Sequence, residues 1–407
     1  MNPGHTAVAE LVHDPVRSPG APPALEPRTP PVDDLAREVY CLLGMPVDAV
    51  DLSEAIRRIE AAARRREPFL VSTPNLNFLS NSLTDPQFRT SLLRSDLCTV
   101  DGMPILWIAR LLGVPLMGRV AGSDILERLT TRRSGQPLSV FLFGGPQGAA
   151  DAARHALNTQ SRGLHCAGSL YPGFGSVNDL TTAKTIDTIN ASGADFLIVS
   201  LGAAKGQAWL LRNHASLTIP VRSHLGAAIN FLAGTVKRAP HAVRRFGLEW
   251  LWRIKEEPHL WRRYRSDALT LLRVLFTRIL PLAAQAAWSR IARRSGALEV
   301  TVSKTGDTAT LAVAGDATAA HINRAMPGFR EAVTAARPVV TVDLSEARTI
   351  DARFLGLVMM LRKCVHARGA TFRIVSASSS IRRTLRLHEA GFLLSEDHDP
   401  RRGWHGP

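Results

Sequence analysis

Short apolar runs alternate with amphipathic stretches through most of the chain. The segments 69–71, 139–143 and 195–200 are brief and apolar, as buried strands are, whereas 52–66 and 149–157 have apolar residues at helical spacing. Strands buried on both faces of a parallel sheet have this continuous apolar character, and helices connect them. The pattern therefore predicts an α/β fold built on a parallel sheet.

Two of the apolar runs end in small polar residues. Phe69 to Val71 leads to Thr73 and Asn75, and Leu97 to Val100 leads to Asp101. Ligands collect at the carboxyl edge of a parallel sheet, so a carboxylate, a hydroxyl and an amide that meet there predict a site for proton transfer. The alternative is that these three side chains only cap the helices that follow them.

A glycine turn follows the apolar run 139–143. It has the sequence Gly144-Gly-Pro-Gln-Gly148 and leads into the predicted helix 149–157. A strand, a glycine turn and a helix N-terminus together place backbone N–H groups where they can hold a phosphate. The glycines do not follow the GxGxxG spacing, so a dinucleotide site is not favoured.

Several motifs occur in an order that resembles one family. They are Thr73-Pro-Asn75, Asp101-Gly102, Arg119-Val-Ala-Gly-Ser-Asp124, Phe141-Leu-Phe-Gly-Gly-Pro146 and Gly247-Leu-Glu-Trp-Leu251. Together they resemble the WecG/TagA/CpsF glycosyltransferases from about Leu43 to Tyr264, and several motifs in order are far more specific than one. The resemblance implies a Rossmann-like parallel-sheet domain with a basic helical appendage.

The resemblance also implies a reaction, that of an inverting glycosyltransferase of the N-acetylmannosaminyltransferase class. Such an enzyme would transfer N-acetylmannosamine or a related sugar from a UDP donor to a sugar linked to polyprenyl diphosphate, in cell-surface or exopolysaccharide synthesis. Asp101 would take the proton from the acceptor hydroxyl, while Thr73 and Asn75 would position sugar hydroxyls. No cofactor is expected. No metal-ligand cluster such as DxD stands in a convincing setting, so arginines would offset the charge of the leaving diphosphate.

Substrate-binding residues are implied by the same resemblance. Arg253 and Arg263 lie in the appendage, whose arginines would close over the substrate diphosphate, and a guanidinium can pair with two phosphate oxygens at once. The full set is Arg119, Asp124, Gly144, Gly145, Gly202, Gln207, Arg238, Arg253 and Arg263. The alternative for the basic run around Arg263 is a solvated helix face.

A second pattern begins after Ser295. Its predicted order is two paired strands (298–303 and 308–313), a helix (319–335), a strand (339–344), a helix (354–367), a strand (371–375) and a helix (381–387). This order resembles a STAS domain, the fold of anti-sigma-factor antagonists, over about Leu298 to Glu396. Phosphorylated members have Asp-Ser-Ser-Gly where this chain has Asp351-Ala-Arg-Phe354, which lacks a hydroxyl and excludes phosphorylation there. A docking or oligomerisation module with a possible protein partner is expected.

Departures from the family pattern keep a second function open. Ala204 stands in place of the usual proline and Gly206-Gln207 in place of a Gln-Glu pair, although Trp209 is kept. Asn230 stands where the family typically has Asp. The alternative is a catalytically inactive, STAS-containing regulatory or scaffold protein of polysaccharide synthesis.

Positive charge is concentrated in one window. The net charge is +15, and residues 234–295 carry fourteen Lys or Arg against four Asp or Glu. A nucleic-acid binder would spread its basic residues along a groove, so no nucleic-acid partner is expected. Aromatic residues among the arginines are typical of an interfacial segment, and Arg273 and Arg278 disfavour a membrane span over 268–289. Contact with a membrane surface is expected; the alternative for 268–289 is an ordinary packed helix.

Five segments are expected along the chain: a Pro-rich disordered tail (1–33), the glycosyltransferase domain (34–246), the appendage and linker (247–295), the STAS-like domain (296–396) and a short tail (397–407). The four cysteines are widely separated and lack metal-ligand spacing, and no secretory pattern opens the chain. The expected location is cytoplasmic, peripheral on the inner face of the cell membrane.

Overall fold

The computed structural model describes residues 33–133, 135–236, 239–240, 243, 248–291 and 296–395. The tails predicted at 1–33 and 397–407 lie outside these ranges, apart from Asp33.

A short antiparallel hairpin precedes the main sheet. Strands β1 (Val39–Leu42) and β2 (Met45–Asp48) pair around Leu43 and Gly44. Gly44 has φ +81°, and a Cβ at this position would lie 2.7 Å from the carbonyl oxygen of Glu389. Glycine is therefore required both by the turn and by the close approach of the chain around Glu389.

A six-stranded parallel sheet forms the larger domain. Its strands are β3 (Phe69–Ser72), β4 (Leu97–Cys98), β5 (Leu138–Gly144), β6 (Leu164–Leu170), β7 (Phe196–Ser200) and β8 (Val221–His224), in the order β4-β3-β8-β7-β5-β6. Each pairing of neighbours in this order is parallel. The predicted α/β fold with a parallel sheet is confirmed.

Helices cover both faces of this sheet. They are α1 (Leu52–Arg65), α2 (Leu76–Thr84), α3 (Pro86–Leu93), α4 (Met103–Leu111), α5 (Gly122–Thr131), α6 (Ala149–Gln160), α7 (Ala183–Ala191), α8 (Ala203–Asn213) and α9 (Ala228–Leu232). Alternate residues of β5 point to opposite cores: Val140 and Leu142 to one, Phe141 and Phe143 to the other. Burial on both faces is why these strands have continuous apolar sequences.

A helical appendage follows the larger domain. It comprises α10 (Glu249–Glu256), α11 (Trp261–Val274), a π-helical turn (Leu275–Ile279) and α12 (Leu280–Ile291). Pro281 lacks a backbone N–H and crowds the carbonyl one turn earlier, which favours the wider turn just before it. In the part of the chain that the structure describes, none of the helices combines the length and apolar content that crossing a bilayer requires.

The smaller domain contains a five-stranded sheet. Its strands are β9 (Leu298–Thr305), β10 (Thr308–Ala317), β11 (Val339–Leu344), β12 (Ala347–Ile350) and β13 (Thr371–Ala377), with the order β12-β10-β11-β13 and β9 antiparallel to β10. Its helices are α13 (Ile322–Thr334), α14 (Ala352–Ala367) and α15 (Ser379–Leu387). The predicted second, smaller α/β domain is confirmed.

The hairpin packs on the smaller domain. Val39 and Cys41 share one buried core with Phe354 and Leu357 of α14. A Cβ on Gly356 would overlap the carbonyl oxygen of Val39, so β1 and α14 are in direct backbone contact. The hairpin therefore connects the larger sheet to the smaller domain.

Arg353 is the residue that the resemblance to STAS domains places where phosphorylated members carry a serine. Its guanidinium donates hydrogen bonds to the carbonyl oxygens of Val39 (3.1 Å) and Arg37 (3.3 Å). Only 6% of its surface is exposed. The amino end of α14 is thus covered by the hairpin segment of the same chain.

A buried charge network reinforces this contact. Lys363 of α14 donates to Asp34 (2.9 Å) and to Asp96 (2.7 Å), which immediately precedes β4. Arg37 pairs with Asp34 (2.6 Å) and with Asp48 at the end of β2 (2.7 Å). Charges removed from water are stable only when they are paired in this way.

Candidate active site

A cavity of about 750 Å³ lies between the carboxyl edge of the large sheet and the helical appendage. One wall is formed by the segments that follow β3, β4 and β8 and by the start of α8. The opposite wall is formed by α10 and α11. Such a crevice beyond the carboxyl ends of parallel strands is where open α/β sheets bind ligands.

Asp101 reaches this cavity from the end of the segment after β4. Its backbone N–H donates to the carbonyl oxygen of Pro74 at 2.8 Å, which joins it to the segment after β3. Gly102, with φ +105°, then turns the chain into α4. Thr73, Asn75 and Asp101 all line the cavity.

Of Thr73, Asn75 and Asp101, only Asn75 caps the helix that follows it, as the alternative interpretation expected of all three. The Asn75 Oδ1 accepts from the backbone N–H of Phe78 at 3.1 Å and so caps α2. No side chain caps α4, so Asp101 does not serve that helix. Asn75 keeps its amide N–H groups for other contacts. The Asp101 carboxyl lines the cavity and accepts from the Gly122 backbone N–H at the start of α5.

The environment of Asp101 favours its protonated form. Burial raises the pKa of this carboxyl to about 7. The Arg119 guanidinium opposes the rise in pKa, whereas the negative charges of Glu249 and Asp124 add to it. A carboxyl with this pKa can accept a proton near neutral pH and hold it afterwards, as a general base must.

Arg119 connects the sheet side of the cavity to the appendage. Its guanidinium lies 3.1 Å from the Asp124 carboxylate and 2.6 Å from that of Glu249 on α10. All three side chains are at least four-fifths buried. The ion pairs therefore hold α10 across the cavity mouth, within the electrostatic reach of Asp101.

Two arginines of the appendage line the same cavity. Arg253 pairs with Glu257 at 2.6 Å, and its guanidinium carbon lies 5.8 Å from the centre of the Phe231 ring. Arg263 lies 4.9 Å from the centre of the Tyr264 ring. Both are held by aromatic rings in positions from which a guanidinium can pair with an anionic group in the cavity.

Several predicted binding residues do not line this cavity as the structure describes it: Asp124, Gly144, Gly145 and Gln207. A Cβ on Gly144 would lie 2.5 Å from the carbonyl oxygen of Ser200, so strand packing requires that glycine. Gln207 is buried and donates to the Ser72 hydroxyl at 3.0 Å. Substrate contact by these four residues therefore stays a prediction, and Asp124 pairs with Arg119, which does line the cavity. Arg238 lies outside the described residues, and Gly202 lines the cavity.

Other side chains of the cavity, among them His224, Glu249 and Asp267, were not predicted as site residues. Asp267 is 3% exposed, accepts from the Asn77 side chain at 3.4 Å, and has a pKa raised by burial. The signal that could have identified Asp267 was its position as an isolated acidic residue in a basic, apolar stretch. Among the residues the structure describes, no group of three or more His, Cys, Asp or Glu could hold a metal ion.

Comparison with known families agrees with this architecture. A family described as "Glycosyl transferase WecG/TagA/CpsF family" matches residues 40–284, which is more than half of the chain. The chain belongs to this family. A second family, described as "Mlab, STAS domain", matches residues 300–394. The glycosyltransferase thus carries a STAS domain after its appendage.

Curated relatives share the larger domain. The glycosyltransferase is 27% identical over 197 residues to a Bacillus spizizenii protein, covering 48% of this chain and 74% of the relative. It is 22% identical over 214 residues to a protein of Staphylococcus aureus (strain MRSA252), covering 52% of this chain and 82% of the relative. Both relatives are named N-acetylglucosaminyldiphosphoundecaprenol N-acetyl-beta-D-mannosaminyltransferase.

Proposed function

We propose that this glycosyltransferase moves N-acetylmannosamine or a related sugar from a UDP donor to a sugar linked to polyprenyl diphosphate, with inversion at the anomeric carbon. The product would enter cell-surface or exopolysaccharide synthesis. The observation that carries the proposal is Asp101, a carboxyl with a near-neutral pKa in a cavity closed by an arginine-bearing appendage. The names of the two relatives supply the class of donor sugar and acceptor.

In the proposed reaction Asp101 is the general base. It accepts the proton of the acceptor hydroxyl while that oxygen bonds to the anomeric carbon, and the bond to UDP breaks with its electron pair leaving on the diphosphate. Thr73 and the amide N–H groups of Asn75 would orient sugar hydroxyls beside the carboxylate. Holding the two reactants in line contributes to the rate in addition to proton transfer.

The leaving diphosphate gains negative charge as the bond breaks. Arg253 and Arg263 are the proposed partners of this charge, because both line the cavity and Arg119 is already paired with two carboxylates, whereas Arg253 is paired with Glu257 alone. The Arg253 Nε is buried and has no hydrogen-bond partner among the described residues. A guanidinium that lines a cavity and has an unused donor is suited to an incoming phosphate oxygen.

The pH dependence of the reaction follows from Asp101. Only the ionised carboxylate can accept a proton, so kcat/KM is expected to rise with pH and level off above about pH 7. Glu249→Gln removes a negative charge that raises the Asp101 pKa, so the midpoint should move to lower pH. Arg119→Gln removes a positive charge that lowers this pKa, so the midpoint should move to higher pH. Rate profiles from pH 5 to 9 measure these shifts.

Glu256→Gln provides the matched control for the pH profiles. Glu256 lies on the same helix as Glu249, but it is not among the described residues that line the cavity. This variant should keep the midpoint of the unaltered enzyme. A Glu249→Gln midpoint that is unchanged, or that moves to higher pH, would contradict the role of Asp101 as the titrating base.

The appendage also presents an apolar stripe. Leu269, Leu272, Phe276 and Leu280 are exposed at a spacing of three or four residues, while Val274 and Ile279 are buried. This is the arrangement of a surface helix with one face packed and one face unpartnered within the chain. We infer that the stripe contacts the membrane surface on its cytoplasmic side, beside the cavity that would receive a lipid-linked acceptor.

Removal of the stripe should weaken membrane contact. Leu272→Ser combined with Phe276→Ser removes two large apolar side chains, so binding to anionic phosphatidylglycerol vesicles should fall by on the order of tenfold or more. Co-sedimentation at several lipid concentrations measures this change. Val375→Ser is the control, because Val375 is an exposed apolar residue of the smaller domain. If the vesicles bound the double variant and the control equally well, the stripe would have no role in membrane contact.

The proposal also includes a protein partner that binds the STAS domain. The amino end of α14 is covered by Arg37 and Val39 of the same chain. Docking or oligomerisation through this domain would therefore use other surfaces of it.

Product analysis tests the function directly. The full-length protein is incubated with candidate UDP-sugars and a short-chain prenyl-diphosphate-linked acceptor, and the product is identified by mass spectrometry. The expected product is the acceptor extended by one N-acetylhexosamine. Binding of UDP-sugar by calorimetry without any turnover would instead favour the inactive regulatory or scaffold alternative, which the substitutions at Gly206, Gln207 and Asn230 motivate.

A further inference from the structure

His224 is a buried histidine at the cavity wall, and its ring has unsatisfied hydrogen-bonding groups. It is the last residue of β8, is 4% exposed, and is one of the lining residues. Neither ring nitrogen has a hydrogen-bond partner among the described residues. Buried polar groups are nearly always paired, so two unpaired nitrogens on one cavity-lining ring point to a partner that binds from outside the chain.

The surrounding backbone is shaped to hold this ring. A Cβ on Gly206 would overlap the His224 imidazole, and a Cβ on Gly226 would lie 3.3 Å from its Cε1. The Phe78 ring lies on another side, with its centre 6.3 Å from that of the imidazole. Gly206 is inside α8, where glycine is usually less favourable than alanine, so the room it leaves for His224 explains its presence.

A second unpaired group lies on the same wall. Asn230 lines the cavity after β8, and its Oδ1 is buried with no hydrogen-bond partner in the described structure. Burial lowers the pKa of His224 to about 4, so its ring is uncharged at neutral pH, with one nitrogen that donates and one that accepts. His224 and Asn230 therefore offer neutral hydrogen-bonding groups, whereas the ionic groups Asp101, Arg119 and Glu249 interact with one another.

We propose that His224 binds the donor through a hydrogen bond to a neutral hydroxyl or amide group of the nucleotide-sugar, and that Gly206 is required to place the ring. The inference rests on the proposed function, because that function supplies the nucleotide-sugar. The ligand group is neutral because an uncharged imidazole and a carboxamide match hydroxyl and amide groups. The arginines of the appendage would bind the diphosphate.

The test compares ring variants of the full-length protein. His224→Phe keeps a flat ring and removes both nitrogens, whereas His224→Gln keeps a donor and an acceptor. His388→Phe is the matched control, because His388 is also buried with an unpaired Nδ1 but is not among the described residues that line the cavity. Affinities for UDP, UDP-N-acetylglucosamine and UDP-N-acetylmannosamine are measured by calorimetry, and histidine ring nitrogens are followed by NMR.

His224→Phe is expected to weaken nucleotide-sugar binding by about tenfold, His224→Gln by less, and His388→Phe not at all. The ring nitrogen resonances of His224 should shift on saturation with ligand, while those of His388 should not. Gly206→Ala should weaken binding as His224→Phe does, because it displaces the ring. If the loss extends to UDP, the nucleoside is the group bound; if it is confined to the UDP-sugars, the sugar is, and either result supports the assignment.

Two results would overturn the assignment, and they are distinguishable. If His224→Phe binds the probes with unaltered affinity and the His224 resonances stay in place, His224 has only a packing role. If the unaltered protein binds none of the three probes, the proposed UDP donor fails and the assignment fails with it.

Discussion

Replacement of Asp101 by asparagine is expected to lower turnover by about 10²–10⁴-fold. The carboxamide has nearly the same shape as the carboxyl but cannot accept the proton of the acceptor hydroxyl. The fold should be retained, since Asp101 does not cap α4 and the asparagine oxygen can still accept from the Gly122 backbone N–H at the start of α5. Burial raises the Asp101 pKa in the folded protein above its unfolded value, so ionisation of this group at high pH opposes folding. Asp101→Asn should therefore be at least as stable as the unaltered protein at pH 8.

Two measurements check this expectation. Single-turnover rates with a UDP-sugar and a lipid-linked acceptor report the chemical step, and denaturant unfolding at pH 8 reports stability. Asp187→Asn, on an exposed position of α7, is the control and should keep full activity. Turnover by Asp101→Asn close to that of this control would exclude Asp101 as the general base.

Replacement of Lys363 by methionine is expected to lower the free energy of unfolding by about 3–5 kcal/mol. The Lys363 ammonium is 13% exposed and contacts Asp34 and Asp96, which are themselves 3% and 14% exposed. Methionine keeps most of the apolar length of the side chain, but it leaves Asp96 without the ammonium that pairs it and Asp34 with Arg37 alone. Because Asp96 also accepts from the backbone N–H of Leu70 in β3, the loss should loosen the contact between the large sheet and α14.

Lys304→Met is the matched control for this prediction. Lys304 is on β9 of the smaller domain, and its ion pair with Glu331 at 2.8 Å is about half exposed, so its removal should cost less than about 1 kcal/mol. Denaturant unfolding of the full chain, followed by fluorescence and circular dichroism, compares the two variants. The Lys363→Met curves are expected to separate into two transitions, one for each sheet. Equal midpoints for both lysine variants would contradict a stabilising role for the buried network.

How clearly the sequence indicates a strand depends on what packs against that strand. β5 and β7 are packed on both faces by helices, so only apolar residues fit, and their sequences indicate strands directly. β8 is equally buried, yet Arg222, Ser223 and His224 make its sequence polar. Arg222 satisfies its charge by donating to the carbonyl oxygens of His214, Leu217 and Ile219. These hydrogen bonds form only in the folded chain, so no periodic pattern in the sequence indicates this strand.

The hairpin was missed for a different reason. Its two strands have four residues each, and one of them contains Pro46, which normally argues against a strand. Its stability comes from packing on α14 and from the charge network around Arg37. Contacts with residues more than three hundred positions away, such as Arg353 with Val39, are invisible in a local pattern.

The sequence by itself determined the α/β order of both domains and brought Thr73, Asn75 and Asp101 to one sheet edge. This was possible because strand burial and the shared direction of parallel strands are local and general constraints. Only the tertiary structure decided that Glu249 and Arg119, 130 residues apart, close α10 over that edge, and that His224 stands against Gly206. Ion pairs and close approaches between distant segments depend on how the elements pack, and packing is a property of the folded chain as a whole.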